Sequence, residues 1–169
     1  MLSSFTLVAI TYLIVKHFIF DFTGLQTPWM YRNKGTYGHR GGIAHSAIHA
    51  VTSAPLFLWW STQAPGEWPG LTHVLQVIGD LMLFEFNVHY HMDWFKMWWC
   101  KTKGYSEYIA MWTAPSTIKR EPADEFSPHL AVYSNKYFLW LGIDQLVHYL
   151  TYVAMIWAWA RYMVWAWVR

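Results

Sequence analysis

The sequence predicts an all-α membrane protein, with four transmembrane helices packed in an up-down bundle. The chain is 55% hydrophobic and only 13% charged, whereas charged residues make up about 25% of a soluble domain. Its mean hydropathy is low because common scales score Trp and Tyr as mildly polar. Both are residues of the bilayer interface, and the chain has 13 and 11 of them. At 169 residues there is room for a single domain, 1–169.

Four stretches of the chain approach the roughly 20 apolar residues that a helix needs to cross a bilayer core about 30 Å thick. The first has no formal charge before Lys16, the second is uncharged, and the third is interrupted by Asp80, Glu85 and Asp93. A turn rich in Pro and Gly follows the second stretch, and the one long loop is expected at 101–136. The predicted spans are residues 2–22, 43–60, 71–94 and 137–167.

Each predicted span carries two metal-ligand residues four positions apart. The pairs are His17 and Asp21, His45 and His49, His89 and Asp93, and Asp144 and His148. Residues at i and i+4 lie on one face of an α-helix, one turn apart. Because consecutive spans alternate in direction, all four pairs fall at span ends on the same side of the membrane. We therefore expect the eight side chains to converge at one depth.

The basic residues predict the orientation of the spans. Nine Lys and Arg residues lie in the two loops on the ligand side, and only Arg161 and Arg169 lie towards the opposite face. By the positive-inside rule, the ligand side faces the cytoplasm and both termini face away from it. The expected partner is therefore the lipid bilayer. A net charge of +2 without a dense basic run argues against nucleic acid.

The pairs point to a divalent transition metal, because His and carboxylate ligands together suit Zn, Fe or Mn. Eight ligands exceed the need of one tetrahedral ion, and dimetal bundle proteins use similar sets on facing helices, so a dinuclear site is favoured. An isolated His in an apolar helix is usually a hydrogen-bonded core residue, and His39, His73 and His129 are assigned to that class. His91 lies two residues from both His89 and Asp93, so it is predicted to point away from them.

Several polar residues flank the predicted ligands. Glu85 lies one turn before His89 and could be a further ligand, an acceptor for a His N–H, or the ion-pair partner of Lys16, with the last two favoured. In a hydrolytic site an unligated Glu85 could also act as the catalytic base. Arg32, Lys34 and Lys96 could orient an anionic substrate group, but interfacial anchoring is the favoured interpretation.

Four segments of the sequence are KHFIFDFTGLQTPWMYRNKG, HSAIH, HYHMDWFK and DQLVH. Together they resemble an uncharacterised family of small bacterial and phage membrane proteins, domain-of-unknown-function family 3307. The resemblance covers all four predicted spans. The resemblance implies a location in a bacterial inner membrane. That family has no established activity, so the resemblance bears on the site and not on the reaction. The residues that it implies as a polar signature are His17, Asp21, Gln26, His45, His49, His89, Asp93, Asp144, Gln145 and His148.

The favoured function is a membrane metalloprotein whose site hydrolyses a lipid-linked or phosphorylated small substrate, with a metal-bound hydroxide as nucleophile. A membrane oxidoreductase of the di-iron type uses the same kind of ligands, and the ligand set alone does not separate the two. A third hypothesis is a non-enzymatic accessory subunit of a larger membrane complex, with another membrane protein or a second copy of the chain as partner. Haem ligation and metal transport are less favoured.

Overall fold

A computed structural model of the chain describes residues 2–63, 70–103, 105 and 128–167. These residues form five α-helices and contain no strand, so the all-α prediction is confirmed. The short α2 lies between the first two long helices. The helices are α1 (Leu2–Phe22), α2 (Pro28–Asn33), α3 (Arg40–Ser61), α4 (Leu71–Lys103) and α5 (Pro128–Trp167).

The predicted bundle of four transmembrane spans is wrong. Long helices do occur at all four predicted positions, but among the described residues only Ser4–Phe22 of α1 is long and apolar enough to cross a membrane. The other three long helices are less apolar on average. Helix α4 contains charged residues such as Asp80 and Lys96, and the many Trp and Tyr residues of these helices count as mildly polar. The multi-pass topology, with its cytoplasmic ligand side and external termini, loses its basis with the spans. The length and composition of α1 also occur in signal sequences and in core helices.

The four long helices alternate in direction. Lys16 of α1 donates a hydrogen bond to Ser53 of α3 (2.7 Å). Asp21, farther along α1, contacts His45, which lies earlier in α3 (2.9 Å), so these two helices run in opposite directions. Helix α3 packs against α1 and α4, and α5 packs against the same two helices. The corresponding contacts are Ser53–Glu85 and His45–Asp93 between α3 and α4, and His89–His148 and Lys96–Asp144 between α4 and α5.

An apolar core fills one end of this arrangement. Leu13, Phe57, Ile78, Met155 and Trp159 are buried there against one another. Full burial of a side chain of this size stabilises the fold by roughly 1.5–3 kcal/mol. The buried polar side chains begin about one turn beyond Leu13 in α1. The candidate site therefore lies on a packed apolar base.

The segment between α1 and α3 is held close to α3 and α4 by two glycines. A Cβ at Gly42 would lie 3.2 Å from Cα of Lys34, and one at Gly35 would lie 2.8 Å from Cβ of Met97. Such distances leave no room for a side chain without a shift of the neighbouring residues. The close approach buries Lys34, which is only 4% exposed.

Of the three isolated histidines, His39 and His73 are not the buried core residues that were predicted. His39 is the N-cap of α3, where its Nδ1 accepts a hydrogen bond from the backbone N–H of Gly41 (3.0 Å). His73 is exposed on α4, so its assignment to the core is wrong. The side chain of His129 lies outside the described residues. His91 is exposed and bonds to Tyr37 and to the backbone of Asn87, so it does point away from the ligand pairs as predicted.

Candidate metal centre

The eight predicted ligand side chains meet in one buried cluster, which we call the His/Asp cluster. Helices α1, α3, α4 and α5 each contribute two of its side chains, because each i, i+4 pair lies on the face that its helix turns towards the others. None of these side chains is more than 4% exposed. Its members are His17, Asp21, His45, His49, His89, Asp93, Asp144 and His148.

Four of these residues form a first group that could hold a metal ion: Asp21, His45, His49 and His89. Oδ1 of Asp21 lies 2.9 Å from Nε2 of His45 and 3.3 Å from Nε2 of His49. Nε2 of His45 lies 3.1 Å from Nε2 of His89. Helices α1 and α4 therefore each direct one N or O atom, and α3 directs two, at a common region.

A second group consists of His89, Asp93 and His148. Nε2 of His89 lies 3.5 Å from Oδ2 of Asp93, and Nε2 of His148 lies 3.9 Å from Oδ1 of the same carboxylate. The rings of His148 and His49 both stack on the His89 ring, with centroid distances of 4.1 and 4.0 Å. Because His89 belongs to both groups, two ions could be held together only if His89 serves one of them.

The spacing of the donor atoms fits a small metal ion. Ligands 2.0–2.2 Å from a tetrahedral ion lie about 3.4 Å from one another. The distances given above range from 2.9 to 3.9 Å, and all candidate ligand atoms of a group lie within 4.8 Å of one another. The buried His/Asp cluster could therefore hold a metal ion.

Unbonded polar atoms support the same conclusion. Among the described side chains, most of the buried N and O atoms that lack a hydrogen bond belong to this cluster, although several lie close to an atom of opposite charge. A buried polar atom without a hydrogen bond costs roughly 1–3 kcal/mol, and coordination would satisfy the lone pairs. The unbonded cluster atoms are Asp21 Oδ1, both ring nitrogens of His49, His89 Nδ1, both oxygens of Asp93, Asp144 Oδ1 and His148 Nε2.

His17 and Asp144 lie beside the two groups and not within them. Nδ1 of His17 is 2.9 Å from the hydroxyl of Tyr152, and its Nε2 is 3.0 Å from Oε1 of Gln145. Oδ2 of Asp144 accepts a hydrogen bond from Lys96 (2.7 Å). Their roles as direct ligands stay predictions, and the contacts seen here are those of residues that orient the ligands.

Burial and charge set the protonation of the three central histidines. Burial lowers the pKa of His49 to about 3 and holds the pKa of His89 well below its usual range, so both present a free nitrogen lone pair at neutral pH. For His148 burial acts in the same direction, but close contact with the carboxylates of Asp144 and Asp93 outweighs it and raises the pKa to about 9. Metal binding at His148 would therefore displace a proton.

Two buried lysines neutralise the carboxylates of the cluster. Nζ of Lys34 lies 3.2 Å from Oδ2 of Asp93, and Nζ of Lys96 lies 2.7 Å from Asp144 and 3.7 Å from Asp93. Burial opposes ionisation of Asp93, yet the two lysines hold its pKa well below the usual range. The favoured interpretation of both lysines as interfacial anchors is wrong, since they are 4% and 3% exposed. Arg32 is exposed.

A second ion pair separates the cluster from the apolar core. Lys16 donates hydrogen bonds to the backbone oxygen of His49 (2.8 Å), to Ser53 (2.7 Å) and to Glu85, and Ser53 donates to the other oxygen of Glu85. The predicted ion pair between Lys16 and Glu85 is confirmed. Both oxygens of Glu85 are engaged, so its role as catalytic base stays a prediction that this geometry does not favour.

Ser53 and Tyr152 were not predicted as site residues, although the sequence carried a signal for both. Each lies four positions beyond a cluster histidine, at His49 and His148. Extending the same helix face by one turn would have found them. The hydroxyl of Tyr152 contacts His17 of the cluster, and that of Ser53 contacts Glu85 of the ion pair next to it.

A cavity of about 190 Å³ lies beside the cluster. Asp21, Lys34 and Lys96 form its polar side together with Gln26 and Gln145. With its amide turned so that both ends are satisfied, Gln26 accepts a hydrogen bond from Lys34 (3.3 Å) and donates one to the backbone oxygen of Asp21 (3.2 Å). The remaining lining residues are Phe22, Tyr31, Met97, Tyr137, Phe138 and Leu141.

Comparisons of the chain with the models of known protein families, with curated proteins and with solved structures gave no match. The resemblance to family 3307 therefore stays a prediction.

Proposed function

We propose that this protein is a metal-dependent hydrolase that acts on a phosphorylated substrate. The observation that carries the proposal is the set of unbonded donor atoms in the His/Asp cluster, next to a cavity whose polar side holds two buried lysines. A structural metal site is typically closed by its ligands, whereas a catalytic site keeps access for water or substrate. A cavity that reaches Asp21 meets the second condition.

Each group of the cluster has its own part in this proposal. Asp21, His45, His49 and His89 would hold one ion, and Asp93 and His148 would hold a second with help from Asp144. A bound divalent ion lowers the pKa of a coordinated water and polarises a phosphoryl oxygen. Tyr152 and Gln145 fix the ring of His17, and Lys96 fixes the carboxylate of Asp144. Lys34 and Lys96 supply positive charge where the transferred phosphoryl group would develop negative charge.

We also propose that α1 attaches the protein to a lipid bilayer, which would suit a lipid-linked substrate. Along this helix Leu7, Val15, Phe18 and Phe22 are each about half exposed or more, and contiguous exposed apolar surface marks an interaction site. Co-flotation of the purified protein with liposomes tests the attachment. A Leu7→Glu/Phe18→Glu variant should remain in the dense fraction. Equal flotation of the variant and the wild type would contradict this role of α1.

The hydrolase proposal is tested by elemental analysis of the purified protein, followed by assay of an aryl phosphate ester before and after treatment with a chelator. We expect bound Zn, Fe or Mn and an activity that disappears with the metal and returns when it is added. The matched variants are His49→Ala, in the cluster, and His73→Ala, on the exposed face of α4. Metal-free protein with full activity would refute the proposal. The oxidoreductase and accessory-subunit hypotheses stay predictions.

A further inference from the structure

The cavity beside the His/Asp cluster has two chemically different sides. Lys34 and Lys96 are buried on the side that faces the cluster, while Phe138 and Leu141 of α5 line the other. Phe22 and Phe138 are 50% and 48% exposed, so the cavity reaches the protein surface. At about 190 Å³ it is smaller than the 300–1,000 Å³ of typical ligand pockets. It would therefore enclose a head group and the first part of an attached chain.

The charges of the cluster leave room for an anion only when metal is bound. Without metal, the carboxylates of the three aspartates outnumber the ammonium groups of Lys34 and Lys96 by one. With the histidines neutral, as metal ligands must be, one divalent ion would leave a net charge of about +1, and two ions about +3. Because the site is buried, such an excess is costly unless an anion compensates for it. The two lysines, which the carboxylates hold in place, would then be free to contact that anion.

The donors favour a phosphate over a carboxylate. Arginine is the residue typical of planar, bidentate recognition of a carboxylate, whereas lysine binds phosphate as a point charge. Among the described lining residues there is no arginine, and the basic groups are the two lysines. Gln26 adds an amide that already contacts Lys34.

We infer that this cavity is a subsite for the phosphate group of an amphiphilic phosphate monoester, with Lys34 and Lys96 on the phosphate and the side chains of Phe138 and Leu141 against its apolar chain. The inference rests on the proposed function and names the class of substrate for the same site. It assigns to the lysines a binding role in addition to the neutralisation of aspartates.

Calorimetric titration with inorganic phosphate and with hexyl phosphate tests the subsite, using purified protein whose metal content has been measured. Each buried methylene adds roughly fourfold to affinity. We therefore expect hexyl phosphate to bind at least about tenfold more tightly than inorganic phosphate, since two buried methylenes suffice. Equal binding of the two ligands would show that the apolar wall takes no part and would overturn that half of the inference.

Paired variants separate the two sides of the subsite. Lys34→Gln should weaken the binding of both ligands by roughly 10- to 100-fold, the value of a hydrogen bond to a charged group. Arg32→Gln, two residues earlier and exposed, should not. Phe138→Ala should reduce only the advantage of hexyl phosphate, and Leu139→Ala, which is 61% exposed and does not line the cavity, should not. Because the side chain of Phe138 is half exposed, the Phe138→Ala variant should fold even if the Lys34→Gln variant does not.

Failure of the subsite differs from failure of the hydrolase proposal. If the metal-loaded protein binds neither ligand, or if Lys34→Gln and Phe138→Ala both bind like the wild type, the inference is wrong and the metal centre stands. If the metal-loaded protein binds hexyl phosphate through Lys34 but does not hydrolyse the aryl phosphate ester, the subsite stands and the hydrolase proposal fails.

Discussion

Replacing His49 with Ala should separate a metal centre from a merely polar core. The His49 side chain is fully buried, neither ring nitrogen has a hydrogen bond, and burial lowers its pKa to about 3. In the metal-free protein the substitution leaves a cavity, which costs stability, but it also removes two unbonded buried nitrogens, each of which costs roughly 1–3 kcal/mol. These effects oppose each other, so we expect a net change within about 2 kcal/mol.

In the metal-bound protein the same substitution removes one of four ligands from the first group. Loss of a residue that only orients a ligand costs about 10- to 100-fold in metal affinity, so loss of a ligand should cost at least about 100-fold. A 100-fold loss corresponds to roughly 2.7 kcal/mol of the stability that bound metal provides. For a chain of this size, the melting temperature should fall by about 5–11 °C more with metal than without it.

Thermal unfolding monitored by circular dichroism measures this difference, with each protein scanned in chelator and in excess Zn²⁺. Metal should raise the melting temperature of the wild type and raise that of His49→Ala much less. His73→Ala, on an exposed face of α4, should respond to metal like the wild type. Unchanged metal content in His49→Ala, or a destabilisation that is the same in chelator and in Zn²⁺, would refute the assignment of His49 as a ligand.

Three further predictions follow from single contacts. Gly42→Ala places a Cβ 3.2 Å from Cα of Lys34 and should lower the free energy of unfolding, measured by chemical denaturation, by about 1–3 kcal/mol. Gly79→Ala, with open space around it, should instead stabilise α4 by roughly 0.5–1 kcal/mol. Equal effects of the two substitutions would contradict the close approach at Gly42. Lys16→Met leaves Glu85 buried without its cation and should cost about 3–5 kcal/mol, most of which Lys16→Met/Glu85→Gln should restore; a double variant no more stable than the single one would show that the loss has another origin. The pKa of His148 is raised to about 9. The protonated ring should therefore stabilise the metal-free protein fully below about pH 6.5, and this stabilisation should be lost as pH rises through 9, while the apparent metal affinity increases over the same range. A pH-independent metal affinity would exclude His148 as a ligand.

The ligand positions could be predicted from the sequence because helical periodicity needs no knowledge of the rest of the fold. His45 and His49 lie on one face of α3 whatever that helix packs against. The convergence of four such faces required only that neighbouring helices alternate in direction, and the contact of Asp21 with His45 agrees with this. The membrane spans could not be inferred in the same way. Their prediction depended on how Trp and Tyr are weighed against Asp80, Glu85 and the histidines, and of the helices that the structure describes only α1 has the required composition.

The burial of Lys34 and Lys96 could not be predicted from the sequence because it depends on long-range packing. Lys34 lies in a short connection whose composition is that of an exposed turn, and it is buried only because Gly42 lets the connection approach α3. Lys96 follows Asp93 by three residues, a spacing that also occurs on solvated helix faces. Nothing local in the sequence distinguishes a lysine that anchors at an interface from one that neutralises a buried carboxylate.

The buried ionic contacts form two layers, one around Lys16 and Glu85 and one in the His/Asp cluster. The two layers differ in whether all of their polar atoms are paired. Lys16 is matched by Glu85 and Ser53 on the side of the apolar core, with both carboxylate oxygens engaged, so this layer is complete without any ligand. About two helical turns along α4 from Glu85, both oxygens of Asp93 are unbonded although Lys34 lies next to them, and Nε2 of His148 is also unbonded. A purely structural polar layer gains stability when every member is satisfied, as in the first case. Of these two layers, only the one beside the cavity has unbonded atoms among the described residues, which is the arrangement expected of a site that binds a cation and an anion together.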